Sequence, residues 1–322
     1  MTDFDVILFD ACGMPFIGST PEHQGLGGSE WEEVLLAEAL AGAGYRVAVM
    51  SRSPTRARVR GVEYLPHDLL GLDTFTCQTL IVERNSVIPR DIKANRTIRW
   101  LQDVMIDFTC DVDELVCVSD WQRSSIKGTA RTIPNMLPDW VYDLPPNRNT
   151  PAGSFIYASA VIKGLRPTLQ YFDAMKKTKP FKLATLDVLS PGYDTPEKMA
   201  LAGVKFVGSL PFKRVVEQMQ RCRSMLYVSA FKETFCIVAA LAEVLGLNLF
   251  ILQSTGPDAL TEVCNSPLIT HDNAKFNELM KRYAERPNDF KPVEAKDYRV
   301  SSVLPRWLDV LSLTVPYPAH GG

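Results

Sequence analysis

A strand–helix–strand pattern opens the chain and begins again after a proline-rich segment, and this repetition restricts the fold more than any other feature. The first occurrence predicts a buried strand over residues 6–9, a helix that ends at Gly42 and Gly44, and a second strand over residues 46–50. Two strands joined in this way through a helix are parallel, and the connection is right-handed. The segment 137–151 contains four prolines and predicts a linker.

Short apolar runs typical of buried parallel strands occur on both sides of this linker. They lie at residues 79–83, 97–101, 114–119 and 131–133 in the first half, and at 155–157, 182–186, 204–207, 225–228 and 249–252 in the second. Because a single core rarely exceeds about 250–300 residues, the 322 residues predict two domains. We expect an α/β protein with two Rossmann-like, doubly wound domains, at residues 1–144 and 145–300, and a C-terminal helix and tail at 301–322.

The composition excludes several classes of protein. The chain carries 35 basic and 37 acidic residues, so its net charge of −2 gives no global field for nucleic acid or anionic lipid. No apolar run reaches the roughly 18–20 residues that cross a bilayer, and the acidic N-terminus is unlike a secretion signal. We expect a cytoplasmic protein, free or peripheral to a membrane. Seven cysteines without a CxxC pair predict reduced, buried thiols, and four scattered histidines predict no metal site.

Two polar residues follow predicted strands of the second half. Glu233 precedes an apolar helix predicted over 234–245, whose N-terminus offers free N–H groups and the positive end of the helix dipole. Lys163 follows a small-residue loop after the strand at 155–157, where a lysine neutralises phosphate as a point charge. The alternatives are a first-turn glutamate favoured only by the dipole and a solvated surface lysine.

The first half offers two weaker candidates. Gly27 and Gly28 begin a helix and permit close approach of a phosphate or sugar to the backbone, and Ser29 with Glu32 predicts a capping box. Glu30 stands where a dinucleotide fingerprint has its last glycine, so that mode of binding is disfavoured.

The other candidate of the first half is the end of the strand at 97–101. Gln102 and Asp103 follow this strand directly, and Asp103 is a candidate hydrogen-bond acceptor for a sugar hydroxyl, or a base. An ordinary loop aspartate is the alternative.

In their order, these segments resemble GT-B fold glycosyltransferases of the retaining group 1, or family 4, type. The resemblance covers residues 4–313 and rests on GGSEW (27–31), RWLQD (99–103), VCVSDWQR (116–123), TIPN (132–135), YASAVIKGL (157–165), VKFVGSL (204–210) and KETFCIVAALAEVLG (232–246). It implies that a nucleotide sugar binds mainly to the second domain and the acceptor mainly to the first. It also implies that the C-terminal helix with Trp307 packs back onto the first domain.

The resemblance assigns roles to single residues. Lys163 matches a lysine that contacts the donor phosphates, and Glu233 matches the first glutamate of an E-x7-E motif, which contacts hydroxyls of the donor sugar. The other donor contacts that it implies come from the glycine-rich loop, the loop before the lysine, the segment near the base and the amides that hold the diphosphate: Gly27, Gly28, Ser159, Gly208, Leu210, Thr234, Phe235 and Cys236. Gln102 and Asp103 line the acceptor side.

Three positions depart from the pattern of the family. The second glutamate of E-x7-E, which binds the ribose, falls at Leu241, and Glu243 is rotated by about 200° around a helix from that position. The arginine usually found five residues before the lysine falls at Ala158. Gln102 stands where a histidine is common.

The function implied is transfer of a sugar from a UDP- or GDP-linked donor to an acceptor hydroxyl, with retention and with neither metal nor other cofactor. A glycan, a lipid-linked sugar, a protein and a modified nucleic acid base are all candidate acceptors. An arginine cluster in a first-domain loop would meet acceptor phosphates, or is a solvated charge run: Arg52, Arg56, Arg58 and Arg60. Two other hypotheses are a nucleotide-sugar epimerase or hydrolase on the same scaffold, and a non-catalytic nucleotide-sugar-binding module.

Overall fold

A computed structural model describes residues 3–53, 55–104, 112–146, 150–191, 194 and 200–311. The chain divides into two compact units. The first contains the described residues up to 21, those at 26–138 and those from 298 onward, and the second contains residues 22–25 and 139–297.

The first unit is built on an eight-stranded sheet in the order β3-β4-β2-β1-β5-β6-β7-β8. Its strands are β1 (Phe4–Asp10), β2 (Val47–Ser51), β3 (Ala57–Val59), β4 (Val62–Pro66), β5 (Phe75–Glu83), β6 (Ile92–Leu101), β7 (Glu114–Cys117) and β8 (Arg131–Thr132). The pairings are parallel except that of β3 with β4. Apolar side chains of β1, β2 and β5 form the buried core, as expected where helices cover a parallel sheet.

Three helices of the first half are α1 (Thr20–His23), α2 (Gly28–Gly42) and α3 (Asp120–Ser124). The predicted capping box of α2 is wrong, because Gly27 occupies the N-cap position and Ser29 lies inside the helix. Glu32 is fully buried, and its Oε2 accepts a hydrogen bond from the Met136 amide at 2.8 Å instead of folding back on the helix end.

The predicted loop of the arginine-rich segment is interrupted by an antiparallel hairpin of β3 and β4: Arg58 lies in β3 and Arg60 in its turn, while Arg52 and Arg56 precede the hairpin. Two of its four arginines are in ion pairs: Arg56 with Glu63 at 3.1 Å, and Arg60 with Glu38 at 2.7 Å. Strand β3 pairs with β4 from Ala57–Tyr64 to Val59–Val62, and Val62 and Tyr64, which share one face of β4, are fully buried.

The second unit is built on a six-stranded parallel sheet in the order β11-β10-β9-β12-β13-β14. Its strands are β9 (Ser154–Ala158), β10 (Thr185–Leu189), β11 (Val204–Gly208), β12 (Ser224–Ser229), β13 (Asn248–Gln253) and β14 (Ile269–Thr270). Its helices are α4 (Leu165–Lys176), α5 (Phe212–Met219), α6 (Ile237–Val244), α7 (Leu260–Val263) and α8 (Asn273–Glu285). Strand β10 begins three residues later than predicted, because a 3₁₀ turn at Lys179–Phe181 precedes it and Leu183 is 91% exposed.

The chain passes into the second unit at Asp139 and not at the predicted residue 145. A 3₁₀ turn at Asp139–Asp143 belongs to the second unit, where the Trp140 ring packs edge-on against Phe212. The chain returns at Tyr298, whose carbonyl accepts a hydrogen bond from the Leu137 amide at 2.7 Å.

Helix α9 (Val300–Leu311) completes the first unit. Its Trp307 is fully buried and meets Trp100 of β6 edge-on, with 4.9 Å between ring centroids. On the surface of the unit, Arg131 binds Asp309 of α9 at 2.6 Å.

Six of the seven cysteines lie in the described part of the chain, and none of these six is in a disulfide. Five are buried and Cys12 is exposed; Cys110 lies outside the described residues. No helix among the residues described has the length and apolar character needed to span a membrane.

Candidate functional site

The strand order of the second unit creates a switch point between β9 and β12. The chain winds outward from β9 through β10 to β11, and then returns to β12 on the other side of β9. Ligands of doubly wound folds bind at the carboxyl ends of strands at such a point, because the flanking loops diverge there. Lys163 follows β9 and Glu233 follows β12, so the fold brings these two predicted site residues together.

Lys163 closes a 3₁₀ turn, Val161–Lys163, which is fixed from two sides. The buried Tyr157 hydroxyl donates to the carbonyl of Ala160 at 2.7 Å, and the hydroxyl of Ser229 donates to the carbonyl of Lys163. The Lys163 ammonium lies 4.8 Å from the centre of the Phe231 ring, within range of a cation–π interaction. Its side chain is 31% exposed, so the charge is held in place and still reaches solvent.

Glu233 is 2% exposed, and both oxygens of its carboxylate have partners. The Lys163 Nζ donates to Oε2 at 2.9 Å, and the Tyr227 hydroxyl donates to Oε1 at 2.7 Å. A buried carboxylate needs such partners, because leaving it uncompensated costs several kcal/mol.

The loop that carries Glu233 is anchored to the loop after β13. The Glu233 amide donates to Oδ2 of Asp258 at 3.0 Å, and Gln253 donates to the same oxygen at 2.6 Å. The neighbouring Lys232 ammonium donates to three carbonyl oxygens, those of residues 255, 256 and 257, at 2.7, 3.0 and 2.8 Å. Lys232 is therefore a tether of the loop, and Lys163 is the cation that faces the carboxylate.

Helix α6 begins at Ile237, so the predicted helix start at Thr234 is wrong. Thr234, Phe235 and Cys236 form the turn before the helix, and Cys236 takes the left-handed conformation with φ 69°. The Glu233 amide, which precedes this turn, is bonded to Asp258 of another loop. The three residues are at most 9% exposed.

The departures from the family pattern are also visible in the structure. Leu241 is 1% exposed and Ala158 is 4% exposed, so neither position offers a charge to a ligand. Glu243 is buried, and its Oε2 accepts a hydrogen bond from the Asn265 amide at 3.0 Å. It therefore holds the chain after α7 and does not replace the missing glutamate.

The other predicted donor residues of the second unit lie in loops at the carboxyl ends of its strands. Ser159 follows β9 directly and is half-buried. Gly208 ends β11 with φ +86°, a backbone conformation that favours glycine, and no atom lies within 4 Å of a Cβ built there. Leu210, two residues on, is half-buried.

The predicted residues of the first unit have separate environments. Gly27 and Gly28 form the start of α2. Gln102 is buried and exchanges two amide hydrogen bonds with Asn135, at 3.1 and 3.0 Å, so its side chain is committed to that pair. Asp103 is exposed, and its carbonyl accepts a hydrogen bond from Gln122 at 2.9 Å.

The first unit has a switch point of its own, between β1 and β5, and five ionisable residues lie there. We name them the Arg84 cluster: Asp10, Glu30, Glu33, Glu83 and Arg84. The Arg84 guanidinium pairs with Asp10, with Glu30 at 2.9 Å and with Glu83 at 3.3 Å. Burial and the charge of Asp10 raise the pKa of Glu33 well above 4.5, and burial and the charge of Glu33 do the same for Glu83.

Carboxylate oxygens of Asp10, Glu33 and Glu83 lie within 4.8 Å of one another, a spacing that suits a cation. Both oxygens of Asp10 already accept hydrogen bonds: Oδ2 from Arg84, and Oδ1 from the Cys12 amide at 2.7 Å and the Ser86 hydroxyl at 3.2 Å. Burial and the neighbouring carboxylates favour the protonated forms of Glu33 and Glu83 in the folded protein.

Sequence reasoning did not find Tyr227, Asp258 or the Arg84 cluster. A signal existed for Tyr227, because a tyrosine in a central apolar strand needs a partner for its hydroxyl. Asp258 bonds to Glu233, and Arg84 pairs with Asp10 and Glu30. These partners lie far away in the chain, so no local sequence pattern predicts the contacts.

Gly164 permits the position of Lys163, and this can be tested. It has φ +130°, and a Cβ there would lie 2.5 Å from the carbonyl oxygen of Val228. Gly164→Ala should lower the free energy of unfolding by about 1–3 kcal/mol and displace the lysine. Gly128, with φ +117° and open space around it, is the matched control, since Gly128→Ala meets only the backbone strain. Equal losses in urea unfolding of the two variants would show that the close approach at Gly164 is unimportant.

The two sheets, parallel except for the edge pair β3–β4, match solved structures of glycosyltransferases with the GT-B fold. Solved structures with this fold cover nearly the whole chain. AviGT4, a glycosyltransferase involved in avilamycin A biosynthesis, has a TM-score of 0.63 at 14% identity over 96% of this chain and 97% of its own. HepE of Anabaena, solved with UDP-glucose, has a TM-score of 0.67 at 13% identity over 96% and 99%.

WaaG, a glycosyltransferase involved in lipopolysaccharide biosynthesis, has a TM-score of 0.62 at 15% identity over 95% of this chain and 99% of its own. No family model matches the sequence, and no curated protein matches it. At these identities the comparisons establish the fold, and the activity is argued from the site.

Proposed function

We propose that the protein is a glycosyltransferase that uses a nucleotide sugar, with the donor bound at the switch point of the second unit. The observation that carries the proposal is the pair of Lys163 and Glu233 on two fixed loops at that point, 2.9 Å apart. A diphosphate needs a cation, and sugar hydroxyls need a rigid carboxylate acceptor, and the site supplies one of each. The structure of HepE with UDP-glucose supports a UDP-linked donor.

In the proposed reaction, the bond between the anomeric carbon of the sugar and the β-phosphate oxygen breaks. A new bond forms between that carbon and the acceptor oxygen, and the leaving diphosphate takes the proton of the acceptor hydroxyl. Lys163 stabilises the charge that develops on the diphosphate, and the amides of the turn at residues 234–236 assist it. Front-face attack of this kind retains the configuration of the sugar and needs no metal ion, because the lysine supplies the positive charge.

For the acceptor, we propose binding at the first unit, with the exposed Asp103 as a hydrogen-bond acceptor. Gln102 is a poorer candidate, because its amide is occupied by Asn135. The second candidate function is a non-catalytic nucleotide-sugar-binding module. It is favoured by the buried Leu241 and Ala158, which stand where the family pattern has a glutamate and an arginine that contact the donor.

A thermal-shift panel of UDP-, GDP-, ADP- and dTDP-sugars tests the proposal. A ligand at about 100 times its dissociation constant should stabilise the protein by about 2.7 kcal/mol, which raises the melting temperature by several degrees. We expect a shift with one nucleotide class, and release of that nucleoside diphosphate to accelerate when an acceptor is added. If the protein binds a nucleotide sugar but releases no nucleoside diphosphate with any acceptor, the binding module is supported. If the nucleoside diphosphate is released at the same rate with and without acceptor, a hydrolase is supported. If no nucleotide sugar raises the melting temperature, the proposal is contradicted.

A further inference from the structure

Tyr227 is a fully buried residue of β12, and its hydroxyl reaches the carboxylate on which the proposed function depends. We propose that Tyr227 is a positioning residue, which keeps Glu233 aimed at the donor sugar when Lys163 turns toward the diphosphate. The inference rests on the proposed function and deepens it, because it divides recognition of the sugar from recognition of the phosphates.

Once a donor binds, two anions compete for the Lys163 ammonium: the Glu233 carboxylate and the diphosphate. Its ammonium holds Oε2 of Glu233 at 2.9 Å, and a diphosphate carries more negative charge than a carboxylate. The lysine side chain is 31% exposed and Glu233 is 2% exposed, so the lysine is the partner with room to move. At position 158, where the family pattern has an arginine, this chain has a buried alanine, so that position gives Lys163 no help with the diphosphate.

When Lys163 shifts, the hydrogen bond from Tyr227 to Oε1 still fixes the carboxylate. The phenol remains a donor at any physiological pH, because burial and the charge of Glu233 raise the pKa of Tyr227 well above 10. The ring has little freedom to turn away, since the buried Tyr157 ring lies 5.8 Å from it, centroid to centroid. The bond thus persists in both states of the lysine.

Tyr227→Phe removes the hydroxyl and keeps the ring, and the affinities for UDP and UDP-glucose, measured by calorimetry, test the proposal. GDP and GDP-mannose replace them if the panel selects guanine. We expect UDP to bind within twofold of wild type and UDP-glucose to bind about tenfold more weakly, the loss of one hydrogen bond to a charged group. The control is Tyr171→Phe, which removes a phenol that donates to Asn277 at the surface of the same unit and should change neither affinity.

A double-mutant cycle separates positioning from general damage to the fold. In a Glu233→Ala background, Tyr227→Phe should have no further effect on UDP-glucose affinity. If Tyr227→Phe does not fold, Tyr227→Met fills similar space without a hydroxyl and takes its place. Equal losses for UDP and UDP-glucose, or no loss for either, overturn the inference alone, whereas failure of the wild type to bind any nucleotide overturns the proposed function with it.

Discussion

Lys163→Met is expected to weaken binding of the nucleotide sugar about 100-fold and to destabilise the second unit as well. Removing one partner of a desolvated charge pair costs about 2–5 kcal/mol in affinity. The same change leaves the buried carboxylate of Glu233 without its cation and still bonded to the neutral Tyr227 hydroxyl, which should lower the free energy of unfolding by about 3 kcal/mol. Calorimetry gives the first quantity and urea unfolding the second.

The two effects separate in a double variant. In Lys163→Met/Glu233→Gln the uncompensated charge is gone, so stability should return while nucleotide binding stays lost. Lys182→Met is the matched control, because Lys182 is an exposed lysine of the same unit. If Lys163→Met alone binds the donor as tightly as wild type, Lys163 is not part of the donor site.

Glu33→Gln should make the first unit more stable, and the gain should grow with pH. The folded protein holds protons on Glu33 and Glu83 that the unfolded chain releases above about pH 4.5, because both pKa values are raised well above 4.5 in the fold. The stability that these protons give is complete below pH 4.5 and is lost as the pH rises toward the folded pKa values. Between the unfolded and the folded pKa values, each retained proton lowers the free energy of unfolding by about 1.4 kcal/mol per pH unit.

Urea unfolding at pH 5 and pH 8, followed by tryptophan fluorescence, measures this difference. Four of the five tryptophans lie in the first unit, at 31, 100, 121 and 307, so the signal reports mainly on that unit. The variant should match wild type at pH 5 and exceed it at pH 8. Glu63→Gln, in the surface pair with Arg56, is the control and should show no such trend. A parallel decline of Glu33→Gln and wild type would argue against protons on this carboxyl.

The sequence predicted the second unit well where the pattern is local. Lys163 and Glu233 each follow an apolar strand, and parallel strands place their carboxyl ends at one edge, so their proximity follows from the strand order. The start of α6 was missed because residues 234–236 continue the helical pattern, whereas Cys236 takes a left-handed conformation that a non-glycine residue rarely adopts. Strand β10 was shifted for a similar reason: the apolar Leu183 fits a strand pattern, but in the fold it is exposed.

The first unit was predicted less completely. Its hairpin of β3 and β4 is short and carries arginines, a composition that indicates a loop when burial of Val62 and Leu65 is unknown. No role was assigned to Glu33 or Glu83 from the sequence, although Glu83 ends a run that predicts a buried strand. Their burial depends on how α2 covers the ends of β1 and β5, which periodicity alone does not reveal.

The return of the chain to the first unit at Tyr298 fixes an order of events during synthesis. The first unit begins to emerge from the ribosome before the second, but Trp100 meets its partner only when Trp307 has been made. About 170 residues separate Pro138 from Trp307, which is about 10–30 s of translation at 5–20 residues per second. Apart from residues 22–25, the second unit lies in one stretch of chain, so it can complete its core before α9 is made, while the first unit still lacks Trp307.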